Sequence, residues 1–161
     1  MKSLIVAALV ALVGYLAWRD YRAGQLPEEI TDPVYGEVRV SMEEQGRELE
    51  MAAFSLMPSH EECQARARKI WEDMLADCPI CQMQPVQCKD ELPRRYARLF
   101  EDVPIPSYYL SLSPGAAGER EARMVVYGLT DEEGKLVCEQ MRKIVLGNYS
   151  GTGHCVAPSD D

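Results

Sequence analysis

Residues 37–59 read EVRVSMEEQGRELEMAAFSLMPS, and this stretch contains the patterns that predict the fold. Residues 37–42 alternate apolar and polar side chains, as a strand with one buried face does. Residues 43–47 contain a glycine and predict a turn, after which residues 49–57 predict a returning strand. Ser59, with two glutamates just behind it, then predicts a helix start, because its hydroxyl can accept hydrogen bonds from free amides.

The same order of patterns recurs in the second half of the chain. Residues 108–113 predict a strand, residues 114–118 a turn, and residues 124–129 a returning strand. Thr130 then takes the place of Ser59, 71 residues later, again with two glutamates close behind it. Such self-similarity indicates that the chain uses one hairpin–helix unit twice. The alternative is that common turn and cap signals produce the likeness by chance.

Each predicted helix carries an apolar stripe at three- and four-residue steps, which is the spacing of a helix face that packs on a core. In the first helix the stripe consists of Cys63, Ala67, Ile70, Trp71, Met74 and Cys78. In the second helix it consists of Val137, Met141, Ile144 and Val145. Both helices are therefore predicted to pack against a sheet.

A short segment that ends in a cysteine follows each helix, at residues 84–88 and 152–155, and predicts a return strand. The predicted unit is then a hairpin, a helix and a short strand. Two such units predict an α+β fold, a two-layer sandwich with an antiparallel sheet and helices on one face. Between the units, Asp90 is the predicted cap of a connecting helix over residues 91–101.

An unbroken apolar run over residues 4–18 begins the chain. Its length lies between that of a signal-peptide core and that of a full span of about 20 residues. Small residues are poorly placed for cleavage after the run, which favours an uncleaved signal-anchor over a removed signal peptide. The chain is therefore assigned a signal-anchor or transmembrane segment (1–22), a tether (23–34), a disulfide-stapled α+β domain (35–157, with repeats 35–88 and 107–156) and a tail (158–161).

Six cysteines in so short a chain favour an oxidising compartment, where cysteines form disulfide bonds. We expect Cys63 of the first helix to pair with Cys88 of its return strand, and Cys138 to pair with Cys155 in the second unit. Each bond would close a loop of about 17 to 25 residues. We therefore expect a single-pass inner-membrane protein with its C-terminal domain in the periplasm, or a secreted domain if the N-terminal segment is cleaved.

Cys78 and Cys81 form a C-x-x-C pair that has more than one interpretation. Thiol–disulfide enzymes place this spacing at the start of a helix, where the thiol pKa is lowered. Here the pair follows a predicted helix end and an aspartate, which favours a structural disulfide, although spacing does not choose among the connectivities of the first four cysteines. A further possibility is a zinc site of Cys78, Cys81 and Cys88 with His60 or Cys63, which needs a reducing compartment.

The net charge of −9 argues against nucleic acid as a partner. An acidic chain repels phosphate backbones, and no cluster of lysine and arginine with interleaved aromatic residues occurs. His60 and His154 are the two histidines, and neither has a serine or cysteine nucleophile at a spacing typical of catalysis. No catalytic residues, metal ligands or cofactors are therefore assigned.

These features favour a membrane-anchored extracytoplasmic module that binds a protein partner or has a structural role. Its attachment to the membrane would be through residues 4–18. The acidic charge is compatible with a basic protein partner. The alternative function is that of a thiol–disulfide oxidoreductase that uses Cys78 and Cys81.

Overall fold

A computed structural model describes residues 26–44, 46–70 and 81–159 of the chain. This part of the chain has an α+β fold with an antiparallel sheet and three helices. The strands are β1 (Val34–Glu44), β2 (Arg47–Met57), β3 (Cys81–Met83), β4 (Gln87–Lys89), β5 (Tyr109–Ser113), β6 (Ala122–Tyr127) and β7 (Thr152–Val156). The helices are α1 (His60–Ile70), α2 (Arg94–Ala97) and α3 (Asp131–Leu146), and a 3-10 turn (Arg98–Glu101) follows α2 directly.

The predicted membrane segment lies outside the described residues. Residues 1–22 and the first part of the tether, residues 23–25, are not among them. Within the three described ranges, no helix is both long enough and apolar enough to cross a membrane. The assignment of residues 4–18 to the membrane therefore stays a prediction.

The described strands form one sheet in the order β3-β1-β2-β6-β5-β7. Strand β4 also pairs with the outer edge of β1, next to β3 along that strand. At the centre, residues 50–55 of β2 pair with residues 122–127 of β6, which joins the two halves of the chain edge to edge. Each half therefore contributes a hairpin to the middle of the sheet and short strands to its rim.

The first hairpin is longer than predicted. Its register runs without a break from Val34 opposite Met57 to Glu44 opposite Arg47. Glu43 and Glu44, which lie in the predicted turn, therefore belong to the strand. The turn itself is confined to the residues around Gly46, whose φ of 77° is in the left-handed region. Glycine adopts that conformation without a steric penalty, and this allows the tight reversal.

Helices α1 and α3 lie on the same side of the sheet, which we call the helix face. Helix α1 packs over β1, β2 and β4, and α3 packs over β5 and β7. The cluster buried between α1 and the sheet consists of Val34, Met57 and, from the helix itself, Cys63. The cluster between α3 and the sheet consists of Leu110, Leu112 and, from the helix, Cys138. Ser55 lies opposite Ala122 in the β2–β6 register, so the two clusters share one face.

The other side of the sheet is covered by the connector, residues 90–108, which contains α2 and the 3-10 turn. The core cluster on this connector face consists of Ala52, Phe54, Tyr96, Leu99, Tyr109 and Val125. Helices α1 and α3 therefore share one face as predicted, whereas α2, for which no face was predicted, adds a partial third layer to the two expected. Strand alternation explains the difference, because β2 is apolar on both sides: Met57 points to the helix face and Phe54 to the connector face.

Both predicted helix starts are confirmed. The Ser59 hydroxyl accepts a hydrogen bond from the amide of Glu62 at 3.2 Å. Thr130 and Glu133 form a capping box, in which each side chain accepts a bond from the backbone amide of the other. Arg47 also donates two bonds to the Glu133 carboxylate, at 2.8 and 3.0 Å, and these bonds, with those from Thr130, lower the pKa of Glu133 to about 2.

The connector begins differently from its prediction. Pro93 occupies the N-cap position of α2 and makes no side-chain hydrogen bond there. Asp90, the predicted cap, instead pairs with His60 of α1 at 2.8 Å. A proline disfavours helical conformation in the residue before it, so the helix begins only after Pro93 and is shorter than the predicted range 91–101.

The rotation of α3 about its axis also differs from the prediction. The residues that face the sheet are Gly134, Cys138, Met141 and Val145. Ile144, which was predicted in the buried stripe, is 72% exposed. Two contacts set the rotation: the bond from Cys138 to β7, and the approach of Gly134 to Tyr108, where a Cβ would lie 3.3 Å from the ring.

Candidate functional site

Two disulfide bonds join α1 and α3 to strands at opposite rims of the sheet. Cys63 of α1 is bonded to Cys88 of β4, with their Cα atoms 6.1 Å apart. Cys138 of α3 is bonded to Cys155 of β7, with their Cα atoms 6.0 Å apart. These are the two pairs that the sequence predicts. Cys63 and Cys138 are each 1% exposed, so each bond is shielded from solvent on its helix side.

A third disulfide involves Cys81, which begins β3 and is half-buried. Cys78 lies outside the described residues, so the prediction for the C-x-x-C pair remains open. The zinc alternative is wrong for Cys63 and Cys88, because their bond to each other leaves neither as a thiolate ligand. Within the described ranges, no group of three or more metal-ligating side chains occurs.

His60 and His154 are both exposed. His154 lies 3.7 Å from the Asp102 carboxylate, and it is directly opposite Ser111 in the β5–β7 pair. Sequence reasoning missed this grouping of serine, histidine and aspartate. The Ser111 hydroxyl is buried and makes no hydrogen bond to the described residues. A nucleophile must reach both its base and its substrate, and Ser111 reaches neither, so we assign the group no catalytic role.

A cleft of about 560 Å³ opens on the connector face. We call it the connector-face cleft, and its lining residues are Arg39, Glu50, Arg95, Tyr96, Ile105, Pro106, Ser107 and Tyr127. Ligand sites typically have volumes of about 300–1,000 Å³ and combine aromatic and apolar walls with a few polar groups. Both the size and the composition of this cleft fit that description.

A chain of ion pairs lies beside the cleft and includes two of its lining residues. Arg39 pairs with Glu37 at 2.5 Å and also with Glu50, and Lys89 pairs with Glu37 at 2.6 Å. Burial alone would raise the pKa of Glu37, but hydrogen bonds from Lys89 and Arg39 outweigh it, and that pKa is lowered. The two carboxylates and the two cations therefore compensate one another's charge.

Two guanidinium groups lie against the ring of Tyr96. The Arg39 Cζ atom is 5.1 Å from the ring centroid, and the Arg95 Cζ atom is 4.5 Å from it. Arg39 is engaged by carboxylates, whereas Arg95 has no carboxylate partner among the described residues. A stacked guanidinium uses its flat face and leaves the N–H donors along its edge for another acceptor.

Tyr127 supplies a second donor at the cleft. It lies opposite Glu50 in the β2–β6 pair, and its hydroxyl makes no hydrogen bond within the described part of the chain. Burial, together with the neighbouring Tyr96, raises the pKa of Tyr127, so the hydroxyl keeps its proton at neutral pH. The cleft thus presents two donors that have no acceptor in the part of the chain that the structure describes, the Arg95 guanidinium and the Tyr127 hydroxyl.

Sequence reasoning identified none of these residues as a site. Arg39 lies in the first predicted strand and Tyr127 in the last strand of the second hairpin, while Tyr96 lies in the predicted connecting helix. Only the pairing of β2 with β6 and the fold of the connector bring them together. The one available signal was the charged polar side of the first hairpin, with Arg39 and Glu50, which is also typical of a solvent-exposed strand face.

Another groove, of about 450 Å³, lies on the helix face and is lined in part by Arg66, Lys69, Ile70 and Tyr149. Residues 71–80, which follow Ile70 directly, lie outside the described ranges. We therefore assign this groove no role.

No protein-family model matches the chain, and no curated protein or solved structure is significantly similar to it. A fold by itself does not define a function. The function is therefore argued from the geometry of the connector-face cleft and from the disulfides.

The free energy of unfolding should depend on pH in the alkaline range because of two tyrosines, the buried Tyr109 and the half-buried Tyr149. Tyr109 donates a hydrogen bond to the Val103 carbonyl and Tyr149 donates one to the Arg120 carbonyl, each at 3.0 Å. Burial, reinforced by nearby carboxylates, raises the pKa of each phenol from 10.0 to about 12. Because the folded-state pKa exceeds the unfolded-state value, the stability that these groups provide is fully present below pH 10 and is lost between about pH 10 and 12.

Titration of the tyrosinate ultraviolet absorbance should therefore show a group of phenols that ionises only near pH 12. Tyr109→Phe and Tyr149→Phe should each remove one late-ionising phenol, while circular dichroism reports whether the fold persists. Ionisation of every phenol near pH 10 in a chain that stays folded would contradict the burial of these two side chains.

Proposed function

We propose that this chain is a membrane-anchored extracytoplasmic module that binds another protein in the connector-face cleft. The observation that carries the proposal is the presence of two donors, on Arg95 and Tyr127, that have no acceptor among the described residues and lie beside the ring of Tyr96. Polar groups of this kind fix the orientation of a ligand, and aromatic side chains provide the contact area. The partner would therefore supply an acceptor next to an apolar group.

The wall of the cleft is rigidly held, which supports a binding role. Tyr96 and Leu99 of the connector are buried in the core, at 7% and 0% exposure. Tyr96 also stacks on Phe54, with ring centroids 4.6 Å apart. A preformed site loses little conformational freedom on binding, so more of the contact energy appears as affinity.

The domain architecture is proposed to be two repeated units, residues 35–88 and 107–156. Each unit contains a hairpin, a helix and a rim strand, and in each the helix is bonded to that strand by a disulfide. The likeness in element order and in disulfide position supports the duplication. The connector, which has no counterpart after the second unit in the described residues, then carries the cleft.

The location is proposed from the cysteines and the first segment of the chain. Disulfide bonds form and persist in oxidising compartments. Residues 4–18 would hold the chain in the inner membrane as a single pass, with the C-terminal domain in the periplasm, or would direct secretion if they are removed. The exposure of cysteines introduced at Leu26 and Lys135, which are both exposed, to a membrane-impermeant reagent in intact cells would distinguish this topology from a cytoplasmic one.

A capture experiment tests the binding role. Full-length protein in native envelope membranes is cross-linked, purified and compared by quantitative mass spectrometry with an Arg95→Gln, Tyr127→Phe variant. The matched control is Arg94→Gln, Tyr108→Phe, since Arg94 is an exposed neighbour and Tyr108 packs on the helix face. We expect the same envelope protein to be enriched by the wild type and the control, and at least about fivefold less by the cleft variant.

Two outcomes would contradict the proposal. The first is that no protein is enriched above the background of membranes that lack the chain. The second is that the cleft variant captures a partner as well as the control does, which would place the interaction elsewhere on the surface. Intact disulfides and an unchanged unfolding midpoint for both variants would show that the comparison concerns binding rather than folding.

The alternative function, thiol–disulfide exchange at Cys78 and Cys81, is favoured by one observation. Cys81 is half-buried at the rim of the sheet, whereas each of the other two disulfides joins a half-buried cysteine to one that is 1% exposed, Cys63 or Cys138. Exchange requires access to the sulfur, so the disulfide of Cys81 would react first. Mild reduction followed by alkylation should then label Cys78 and Cys81 alone, and equal labelling of all six cysteines would remove this alternative.

A further inference from the structure

We infer that the connector-face cleft recognises a carboxylate on an extended segment of its partner, bound by the edge of the Arg95 guanidinium and by the Tyr127 hydroxyl. The inference rests on the proposed function, since it names the chemistry that the same cleft would select. A carboxylate is the acceptor that a guanidinium fork matches best, through two parallel hydrogen bonds. Tyr127 can donate a third bond to the same group or to a neighbouring carbonyl.

The position of Arg95 makes it suited to this role. Its guanidinium lies 4.5 Å from the centroid of the Tyr96 ring, which is itself buried in the core. Stacking limits the rotamers of a long side chain, so less conformational entropy is lost when the carboxylate binds. Because no carboxylate of the described chain occupies its edge, the partner's group would not have to displace an internal ion pair.

The apolar part of the cleft defines what accompanies the carboxylate. Ile105 and Pro106 form a wall, and Tyr96 and Tyr127 present aromatic rings. Apolar or proline side chains next to the acidic group would bury surface against them. The volume of about 560 Å³ admits a short stretch of peptide rather than a folded element.

The acidity of the whole chain does not exclude an acidic partner segment. The net charge of −9 is spread over the molecule, and at physiological salt the field of an exposed charge is screened over a Debye length of about 8 Å. The charge that decides binding is the one in direct contact. In the cleft, Glu50 is neutralised by Arg39, and the uncompensated charge is that of Arg95.

A cationic ligand is the competing interpretation, and the contacts disfavour it. The carboxylate that lines the cleft belongs to Glu50, and Arg39 already holds it. A lysine or arginine of a partner would have to break that pair and would also approach the positive charge of Arg95. Removing a partner from a part-buried ion pair leaves a charge with poor solvation, which opposes such an exchange.

The test uses the full chain in detergent micelles with its disulfides intact, and three pentapeptides as probes, of which the first two are blocked at both ends. The first has a central aspartate between proline and leucine, the second has asparagine in its place, and the third has alanine there with a free C-terminal carboxylate. Binding is followed by the NMR signals of the arginine Nε–H groups, with that of Arg95 assigned from Arg95→Gln. We expect the aspartate or the C-terminal carboxylate peptide to shift the Arg95 signal and to bind about tenfold more tightly than the asparagine peptide.

Three variants separate the roles of charge, geometry and the phenol. Arg95→Gln should weaken the carboxylate probe about tenfold, and Arg95→Lys should restore only part of the loss because it lacks the fork. Tyr127→Phe should weaken it about threefold, and Arg94→Gln should leave it unchanged. Preference for the aspartate peptide assigns the source as a side chain, and preference for the third peptide assigns it as a chain terminus.

The inference would be overturned if neither carboxylate peptide bound more tightly than the asparagine peptide, if no probe shifted the Arg95 signal, or if the Arg95→Gln variant bound like the wild type. These results are distinct from failure of the proposed function. If a partner is still captured through the cleft but its acidic residues can be replaced by amides without loss, the protein-binding role stands and the carboxylate specificity is wrong. If nothing is captured, the proposed function itself has failed.

Discussion

A Cys138→Ser, Cys155→Ser variant is expected to have a free energy of unfolding about 3 kcal/mol lower than that of the wild type. The bond between these residues spans a sequence separation of 17 and ties α3 to β7 at one rim of the sheet. Without it, the unfolded chain regains the conformational freedom that the closed loop removes. Domains of this size have total stabilities of about 5–15 kcal/mol, so one bond contributes a large fraction.

The measurement is urea unfolding followed by circular dichroism, performed with and without a reductant. The reductant provides the control, because the wild type and the variant should become nearly equal once every disulfide is open. A stability difference that persists under reducing conditions would mean that the serines disturb the packing of Cys138 against Leu110 and Leu112, and that the bond itself contributes little. Both chains should be loaded at equal concentration, since an association of unfolded chains would distort the comparison.

The second bond should behave like the first. Cys63 and Cys88 are 25 residues apart, and loop-closure entropy grows only with the logarithm of loop length, so the cost of losing either bond is similar. Loss of both would remove about 6 kcal/mol, which is enough to unfold a domain of ordinary stability. This is the physical reason for proposing that the chain works where disulfides persist.

The sequence was sufficient to predict the parts of the fold that depend on local chemistry. Ser59 and Thr130 cap helices because hydroxyls satisfy free amides within three residues, and that geometry needs no tertiary contact. The pairs Cys63–Cys88 and Cys138–Cys155 followed from the order of elements, since a helix and its return strand must lie side by side. Alternating patterns likewise predicted the hairpins, although not their ends.

What could not be predicted depends on which face of the sheet each segment covers. The connector and the helices carry similar apolar patterns, so the pattern of Tyr96 and Leu99 did not reveal that they pack opposite α1 and α3. The exposure of Ile144 depends on the rotation of α3, which the Cys138 bond and the Gly134 contact determine. The cleft arises from the same choice of face, which explains why no local motif marked it.

Arg123 of β6 holds the connector against the sheet. The connector contributes Arg95 and Tyr96 to the cleft, so Arg123 supports part of the cleft wall. Its guanidinium is 2% exposed and donates to the carbonyls of Leu99 at 2.8 Å and Phe100 at 3.4 Å, at the end of the connector's helical segment. It also pairs with Glu121 at 2.7 Å and with Asp102 at 3.3 Å. A single buried side chain thus donates to two carbonyls of the connector, of which that of Leu99 also accepts a bond from the Asp102 amide, and compensates two carboxylates.

Arg123→Met is expected to lower the free energy of unfolding by about 3 kcal/mol, because it removes the donor of the Phe100 carbonyl, one of two donors of the Leu99 carbonyl, and the cation of two carboxylates. Methionine keeps much of the apolar volume, so the loss reports the polar contacts rather than a cavity. Arg123→Lys should lower the free energy of unfolding by less, because lysine keeps the positive charge. It should still lower it, because lysine lacks the several N–H donors of the guanidinium. Urea unfolding measures the loss, and amide hydrogen exchange over residues 94–103 shows where it acts.

The matched control is Arg98→Met, in the same connector but exposed, which should change stability by less than about 0.5 kcal/mol. If Arg123→Met changes stability as little as this control, Arg123 is not the tie between the connector and the sheet. The expected pattern has a consequence for function, because Arg95 and Tyr96 lie on the segment that Arg123 holds. A variant whose connector exchanges rapidly should therefore also lose partner capture, even though Arg123 does not line the cleft.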